Sequence, residues 1–118
     1  MAIHVGVVSL ELHVPGARSL KDKRRAVRSL IERMHRRFRV SVAETGYHDL
    51  HQRAEVSLAV VTADGGELER LLDGLRGLAE ETSEALLLRW QPRLLGEDEL
   101  SDTIDFDHAG DAAGNPKP

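Results

Sequence analysis

Residues 3–14, IHVGVVSLELHV, are the stretch from which the rest of the fold can be worked out. Val8, Leu10 and Leu12 alternate with polar side chains, which is the two-residue period of a β-strand with one buried face. The additional valines near its start favour a position inside a sheet rather than at its edge. A Pro-Gly pair at 15–16 then ends the strand.

A helix with predicted bounds 19–38 follows this strand. Ser19 and Asp22 have the spacing of an N-cap pair, which marks where the helix begins. Apolar residues then recur at intervals of three and four, the period of a helix with one buried face. These residues are Leu20, Val27, Leu30, Ile31, Met34 and Phe38.

Three more strands and a second helix complete the pattern. Alternating apolar and polar residues predict strands over 40–45 and 54–62. Asp64 with Glu67 repeats the capping pattern, and a leucine-rich amphipathic helix runs from there to about residue 81. The last strand is predicted over 85–90, stopped by a proline at 92.

The resulting order is βαββαβ, which decides the fold class. Right-handed crossovers place both helices on one face of a four-stranded antiparallel sheet, the α+β ferredoxin-like sandwich. In that topology the first and third strands are central, and the second and fourth are edges. A three-layer α/β arrangement is the alternative, but two helices would cover it poorly.

Composition indicates one soluble domain over residues 1–92. The chain has 118 residues, 41% of them hydrophobic, and no cysteine, which excludes disulfides and thiolate chemistry. No apolar run approaches the roughly 20 residues that span a bilayer, and the N-terminus lacks a basic leader, so we expect no membrane partner and a cytoplasmic location. Residues 93–118 are predicted to form a disordered acidic tail, because 96–118 contains seven acids and one lysine.

Positive charge is concentrated in the first helix. Residues 18–39 hold ten of the sixteen Lys and Arg with two acids, a formal +8, whereas the other six basic and eighteen acidic residues give −12. Such an uneven distribution of charge gives information about binding partners rather than about the fold. The predicted residues for binding nucleic acid or another anion are Arg18, Lys21, Lys23, Arg24, Arg25, Arg28 and Arg36.

Three of these cations are especially informative, because positive charge is disfavoured in the first turn of a helix. Arg18, Lys21 and Lys23, together with the free N–H groups there, would suit a phosphate. The alternatives are a solvated face balanced by the second helix, or one covered by the acidic tail folding back and competing with a polyanion.

The helix-free face of the sheet offers a different surface. An RNA-recognition module of this topology stacks bases on aromatic side chains of that face. The residues predicted there contain no aromatic side chain: Ser9, Glu11, His13, Ser41, Ala43, Glu55, Ser57 and Ala59. We therefore expect no base stacking on the sheet. The small, mildly polar face and the apolar fourth strand at the sheet edge are compatible with a homodimer.

The loop YHDLHQR, residues 47–53, contains donor types that bind zinc. His48, Asp49 and His51 match no standard ligand spacing, however, so no metal is predicted. The preferred reading is a structural loop in which Asp49 caps a turn and pairs with Arg53. The chain also lacks the Walker, dinucleotide-binding and G-x-S-x-G motifs, so neither a cofactor nor an enzymatic activity is predicted.

Two stretches, SLKDKRRAVRSL at 19–30 and FRVSVAETGYHDLHQRAEVSLAVV at 38–61, resemble the YlxP-like family (domain of unknown function 503). His51 stands where the family resemblance implies Trp. The resemblance implies a ferredoxin-like fold but no established activity. It also implies genes located among those for translation initiation and ribosome maturation factors.

These observations predict a non-enzymatic accessory factor that binds the small ribosomal subunit or its ribosomal RNA through the basic helix. Two alternatives remain open. One is a homo-oligomeric ligand-binding or protein-interaction domain without nucleic-acid binding, and the other is a metal-dependent enzyme built on the loop at 47–53.

Overall fold

The computed structural model describes residues 2–103, with side chains to residue 100. Within that range the elements follow the predicted strand and helix order, with one additional short helix at the end. They are β1 (His4–His13), α1 (Leu20–Arg37), β2 (Ser41–Gly46), β3 (Arg53–Thr62), α2 (Gly65–Glu81), β4 (Leu86–Leu95) and α3 (Glu97–Thr103).

The described strands form one four-stranded antiparallel sheet in the order β2-β3-β1-β4. As predicted, β1 and β3 are central, and they pair along their full length from His4↔Thr62 to His13↔Arg53. Because facing residues of an antiparallel pair project to the same side, this register fixes both faces of the sheet. The predicted ferredoxin-like α+β fold is confirmed.

The core lies between the sheet and the two long helices. Even-numbered residues of β1 and β3 supply the sheet side, and the periodic apolar stripes of α1 and α2 supply the other. Its largest fully buried apolar members are Leu10, Leu12, Leu30, Met34, Leu68, Leu75, Val8 and Val56. Odd-numbered residues of both strands therefore form a helix-free face.

Both long helices begin at the predicted caps. The Ser19 hydroxyl accepts a hydrogen bond from the Asp22 backbone N–H at 3.1 Å, and the Asp64 carboxylate accepts one from the Gly66 N–H at 2.9 Å. Each bond satisfies an N–H group that has no partner inside its helix. Local side-chain chemistry thus sets the two helix starts.

The helices approach each other at Gly74 of α2. A Cβ atom at this position would lie 2.7 Å from the Phe38 ring, so the close packing depends on the absent side chain. Gly77, one turn later, would meet no atom within 4 Å. These two interior glycines of α2 therefore differ in purpose: Gly74 accommodates an aromatic ring, and nothing in the structure explains Gly77.

The fourth strand is longer than predicted. It runs to Leu95 and contains Pro92, which was expected to stop it. Proline is tolerated because β4 is an edge strand, where a missing N–H can fall on the side away from the neighbouring strand. The predicted boundary at residue 92 thus falls inside β4, and α3 follows with Leu100 buried. Residues 104–118 of the predicted acidic tail lie outside the described residues, so their disorder and any docking on α1 stay predictions.

Candidate functional site

The outer face of α1 presents a stripe of cations to solvent. Its predicted members recur at intervals of three, four and eight residues, and all are exposed: Lys21, Arg24, Arg25, Arg28 and Arg36. Within the described part of the chain, none of these side chains forms an ion pair. Glu32, also exposed, is the one acid among them. We call these five side chains the basic stripe.

The first turn of α1 differs from the predicted phosphate site. Arg18 is exposed, but its backbone N–H donates to the Asp22 carboxylate at 3.0 Å, and the Asp22 N–H donates to Ser19. The helix thus supplies its own anion at its positive end. This leaves the basic stripe along the helix, rather than the helix terminus, as the candidate anion site.

Lys23 is the main correction to the predicted set. Only 1% of it is exposed, and its ammonium donates to the Tyr47 carbonyl at 2.7 Å and lies 3.1 Å from a Glu44 carboxylate oxygen. It lies four residues before Val27, on the buried stripe of α1, and this spacing was the available signal of its burial. Lys23 therefore joins α1 to the end of β2 and is not available to a ligand.

Tyr47, which Lys23 anchors, has a left-handed backbone conformation with φ of 59°. This is uncommon for a side chain other than glycine, and here two hydrogen bonds hold the residue through its carbonyl, from Lys23 and from the Leu50 N–H. Its ring then lies 4.4 Å from the Arg53 guanidinium carbon, a cation–π contact. An aromatic side chain of the loop therefore borders the helix-free face, although none of the strand residues predicted on that face is aromatic.

The predicted partner of Arg53 was Asp49, but in the structure Arg53 pairs with Glu11. Its Nε donates to the Glu11 carboxylate at 2.8 Å, and Nη2 makes a second, shorter bond to the same oxygen. These hydrogen bonds raise the pKa of Arg53 above its ordinary value, so the guanidinium stays charged. Asp49, by contrast, makes no side-chain hydrogen bond within residues 2–100, because the sheet register brings Glu11 next to Arg53.

The remaining charges of the helix-free face complete a balanced network. Glu11 and Glu55 face each other across β1 and β3, where two like charges would repel. Arg89 of β4 lies between them, 3.8 Å from Glu11 and 3.7 Å from Glu55. Arg89 and Arg53 together thus neutralise the two glutamates. The predicted polar face is confirmed. Among the arginines that the described strands place on it, Arg93, opposite Val7, is the one that forms no ion pair.

The loop between β2 and β3 forms an open depression of about 540 Å³ beside His13. Gln52 fastens the loop to the β1–α1 connection, because its side-chain amide donates to the carbonyls of Pro15 and Ala17 at 3.2 Å. Asp49 and His51 line the depression together with His13. Across residues 2–100, however, no three His, Asp or Glu side chains converge in a way that would hold a metal ion. The loop is anchored as a structural loop would be, although through Gln52 rather than Asp49.

Comparisons with known proteins match the chain to a protein family, to a curated relative and to solved structures. A family model described as "Protein of unknown function (DUF503)" matches residues 5–91. The chain is 32% identical over 68 residues to "Uncharacterized protein YlxP" of Bacillus subtilis (strain 168), which covers 58% of this chain and 74% of that protein.

Two solved structures share part of the shape, both with a TM-score of 0.43. One is the de novo designed protein Foldit4, at 18% identity over 77% of this chain and 96% of that one. The other is a C-terminal segment of the alpha subunit of aIF2 from Pyrococcus abyssi, at 16% identity over 77% and 49%. Neither likeness carries information about function.

Among the described helices, none is long and apolar enough to cross a bilayer. The family match covers both long helices and the sheet except for the first residue of β1 and the last four of β4, and it includes the loop at 47–53 and the basic stripe. The resemblance seen in the sequence is thereby confirmed, and the chain belongs to the DUF503 family of proteins of unknown function.

Proposed function

We propose that the protein is a non-enzymatic accessory factor that binds RNA phosphates through the basic stripe of α1. The supporting observation is that five exposed cations share one helix face and none has an acidic partner within the described residues. A solvated face that merely balanced the acidic α2 would be expected to form ion pairs across the two helices. The described residues of α2 form one ion pair, between Arg76 and Glu80, and both partners belong to α2 itself.

The chemistry of binding is phosphate contact rather than base reading. Lys21 and Arg36 are fifteen residues apart, so the stripe extends for about 22 Å at the rise of an α-helix. Each cation that meets a phosphate releases condensed counterions, so affinity depends steeply on salt. Glu32 near the stripe's C-terminal half reduces the attraction there, which makes Arg24, Arg25 and Arg28 the central contacts.

The small ribosomal subunit or its RNA is the partner proposed first. Support for this choice is the implied location of YlxP-like genes beside those for translation factors, while the stripe itself favours any accessible phosphate backbone. The alternative, a homo-oligomeric domain without nucleic-acid binding, would instead use the opposite, helix-free face.

The test is a titration of small-subunit RNA with the full chain over a series of salt concentrations, with fluorescence anisotropy of the RNA as the measure of binding. The variant Arg24→Glu/Arg25→Glu/Arg28→Glu should bind more weakly, and its log–log salt slope should be flatter by roughly two to three units. The matched control is Arg70→Glu/Arg76→Glu/Arg93→Glu, three exposed arginines elsewhere. It changes net charge equally, so a local site predicts a nearly unchanged slope.

Two results would overturn the proposal. One is a wild-type protein that does not bind small-subunit RNA at low salt. The other is an equal loss of affinity in both triple variants, because this would assign binding to overall charge. Far-UV circular dichroism of each variant excludes loss of the fold as the cause.

A further inference from the structure

One end of the helix-free face is apolar and open to solvent. The strand register places Val5, Val7 and Val61 there, with Ala59 opposite Val7. Val61 is 69% exposed and Val7 39%, and Ala59 is exposed as well. Neighbouring apolar side chains with such exposure are typical of a surface that another segment contacts.

Arg93 gives this apolar end a positive charge that no neighbour balances. The register places it opposite Val7, on the same face, and it is exposed. Within the described residues Arg93 forms no ion pair, whereas Arg53 and Arg89 are neutralised by glutamates of the face. The segment that fits this end therefore combines apolar side chains with a carboxylate.

The chain itself carries such a segment directly after α3. Residues 104–107 are Ile-Asp-Phe-Asp, two large apolar side chains and two carboxylates. Ile104 and Phe106 match the exposed valines, and either acid matches Arg93. An arginine lays its aliphatic stem along apolar surface and keeps its charged head at the rim, so one side chain can border the valines and still reach a carboxylate.

The connection to this segment is short. β4 ends at Leu95, which lies in one row with Val5 and Val61 across the three strands. Val61 is therefore about 10 Å from Leu95. The seven residues of α3 span about 10 Å, and four extended residues add at most about 14 Å. Leu100 of α3 is buried outside the core between the sheet and the long helices, and α3 contacts β4, so the segment starts beside the sheet.

A small contact is sufficient because the segment is tethered. Two separate proteins need about 800 Å² of buried surface on each partner, which this end of the face does not offer. A segment joined to its site by a short connection binds at an effective concentration in the roughly millimolar range. Two apolar side chains and one ion pair are then a suitable match in size.

We infer that residues 104–107 fold back onto the apolar end of the helix-free face. Ile104 and Phe106 pack against Val7 and Val61, and an aspartate of the segment pairs with Arg93. The docked segment lies on the side of the sheet opposite α1, so it leaves the basic stripe open. The inference does not rest on RNA binding.

The test is disulfide formation in the full chain, which has no cysteine of its own. Ala59→Cys/His108→Cys leaves the contact residues unchanged and should form an intramolecular disulfide on mild oxidation, seen on non-reducing gels. The matched control is Glu32→Cys/His108→Cys, which places the first cysteine in the basic stripe and removes its one acid. This control should react at least about tenfold more slowly, because a docked segment is held about 1.4 kcal/mol or more away from α1.

Substitutions in the Ala59→Cys/His108→Cys chain test the contacts themselves. Phe106→Ser should slow disulfide formation by at least about threefold, because its apolar contact is lost. Arg93→Gln should slow it by about two- to fivefold, the range of a partly exposed ion pair. Arg70→Gln, the same charge change at an exposed site on α2, should leave the rate unchanged.

Each other outcome overturns the inference. A faster reaction of the Glu32 pair would place the tail on α1, and equal rates for both pairs would show that it has no preferred surface. Disulfides that form mainly between molecules would assign the segment to a second copy. Unchanged rates in both Phe106→Ser and Arg93→Gln would remove the proposed contacts. Circular dichroism of the reduced variants checks that each is folded.

Discussion

The two long helices occupy equivalent positions but differ on their outer faces. Each follows a central strand, starts at a side-chain cap and buries one stripe against the sheet. α1 contains eight basic and two acidic residues, whereas α2 contains two basic and five acidic ones. The fold requires only the inner stripes, so the outer faces are free to diverge. A charge difference that folding does not require is therefore the best indication of where function lies.

The inner stripes differ as well, at one position. α2 buries only leucine and alanine, whereas α1 buries Lys23 among apolar neighbours. A buried ammonium requires partners, and Glu44 and the Tyr47 carbonyl supply them. In α1 a single residue thus connects the helix to the loop that carries Tyr47. α2 has no comparable link within the described residues.

Among the substitutions that test this difference between the helices, Lys23→Met is expected to change stability the most. The change leaves the Glu44 carboxylate without its ion-pair partner and removes one of the two donors to the Tyr47 carbonyl, so we expect the free energy of unfolding to fall by about 3 kcal/mol. Urea denaturation measures it. The matched control, Lys21→Met, alters an exposed cation on the same turn and should stay within about 0.5 kcal/mol of wild type. Equal effects of the two changes would show that the buried link does not stabilise the fold.

A smaller difference in stability is expected between alanine substitutions at Gly74 and Gly77, the two interior glycines of α2. Alanine at either position gains the same helix propensity, but at residue 74 it clashes with the Phe38 ring. Gly74→Ala should therefore be less stable than Gly77→Ala by about 1–3 kcal/mol, the usual cost of overpacking. Thermal and urea unfolding of the pair measure this difference. In a Phe38→Leu background the difference should shrink, and its persistence there would assign the cost to something other than the ring.

The smallest expected effect is a gain in stability. Gly77→Ala should raise the free energy of unfolding by about 0.5–1 kcal/mol, because a methyl group there meets open space and alanine favours the helix. The same urea titration detects it as a higher midpoint at an unchanged slope. A lower midpoint would mean that residue 77 has a contact or conformational requirement that the structure does not reveal.

Much of the fold was predictable because its signals are local. The period of two in β1 and β3, the period near 3.6 in the helices, and the caps at Ser19 and Asp64 all act over a few residues. Together with right-handed crossovers they predict the sheet order. The end of β4 was missed because proline breaks an edge strand only where its missing N–H faces the neighbouring strand, and the register of β4 with β1 decides which way residue 92 faces.

The candidate site was less predictable, since its decisive contacts join distant residues. Sequence alone determined the elements, the sheet order and the concentration of cations on α1, because each follows from neighbours along the chain. Only the tertiary structure decided that the Lys23 ammonium bonds to Tyr47, 24 residues away, and that Arg53 pairs with Glu11, 42 residues away. Partner choice for a long charged side chain depends on which groups the register brings within reach. A local pattern cannot contain that information.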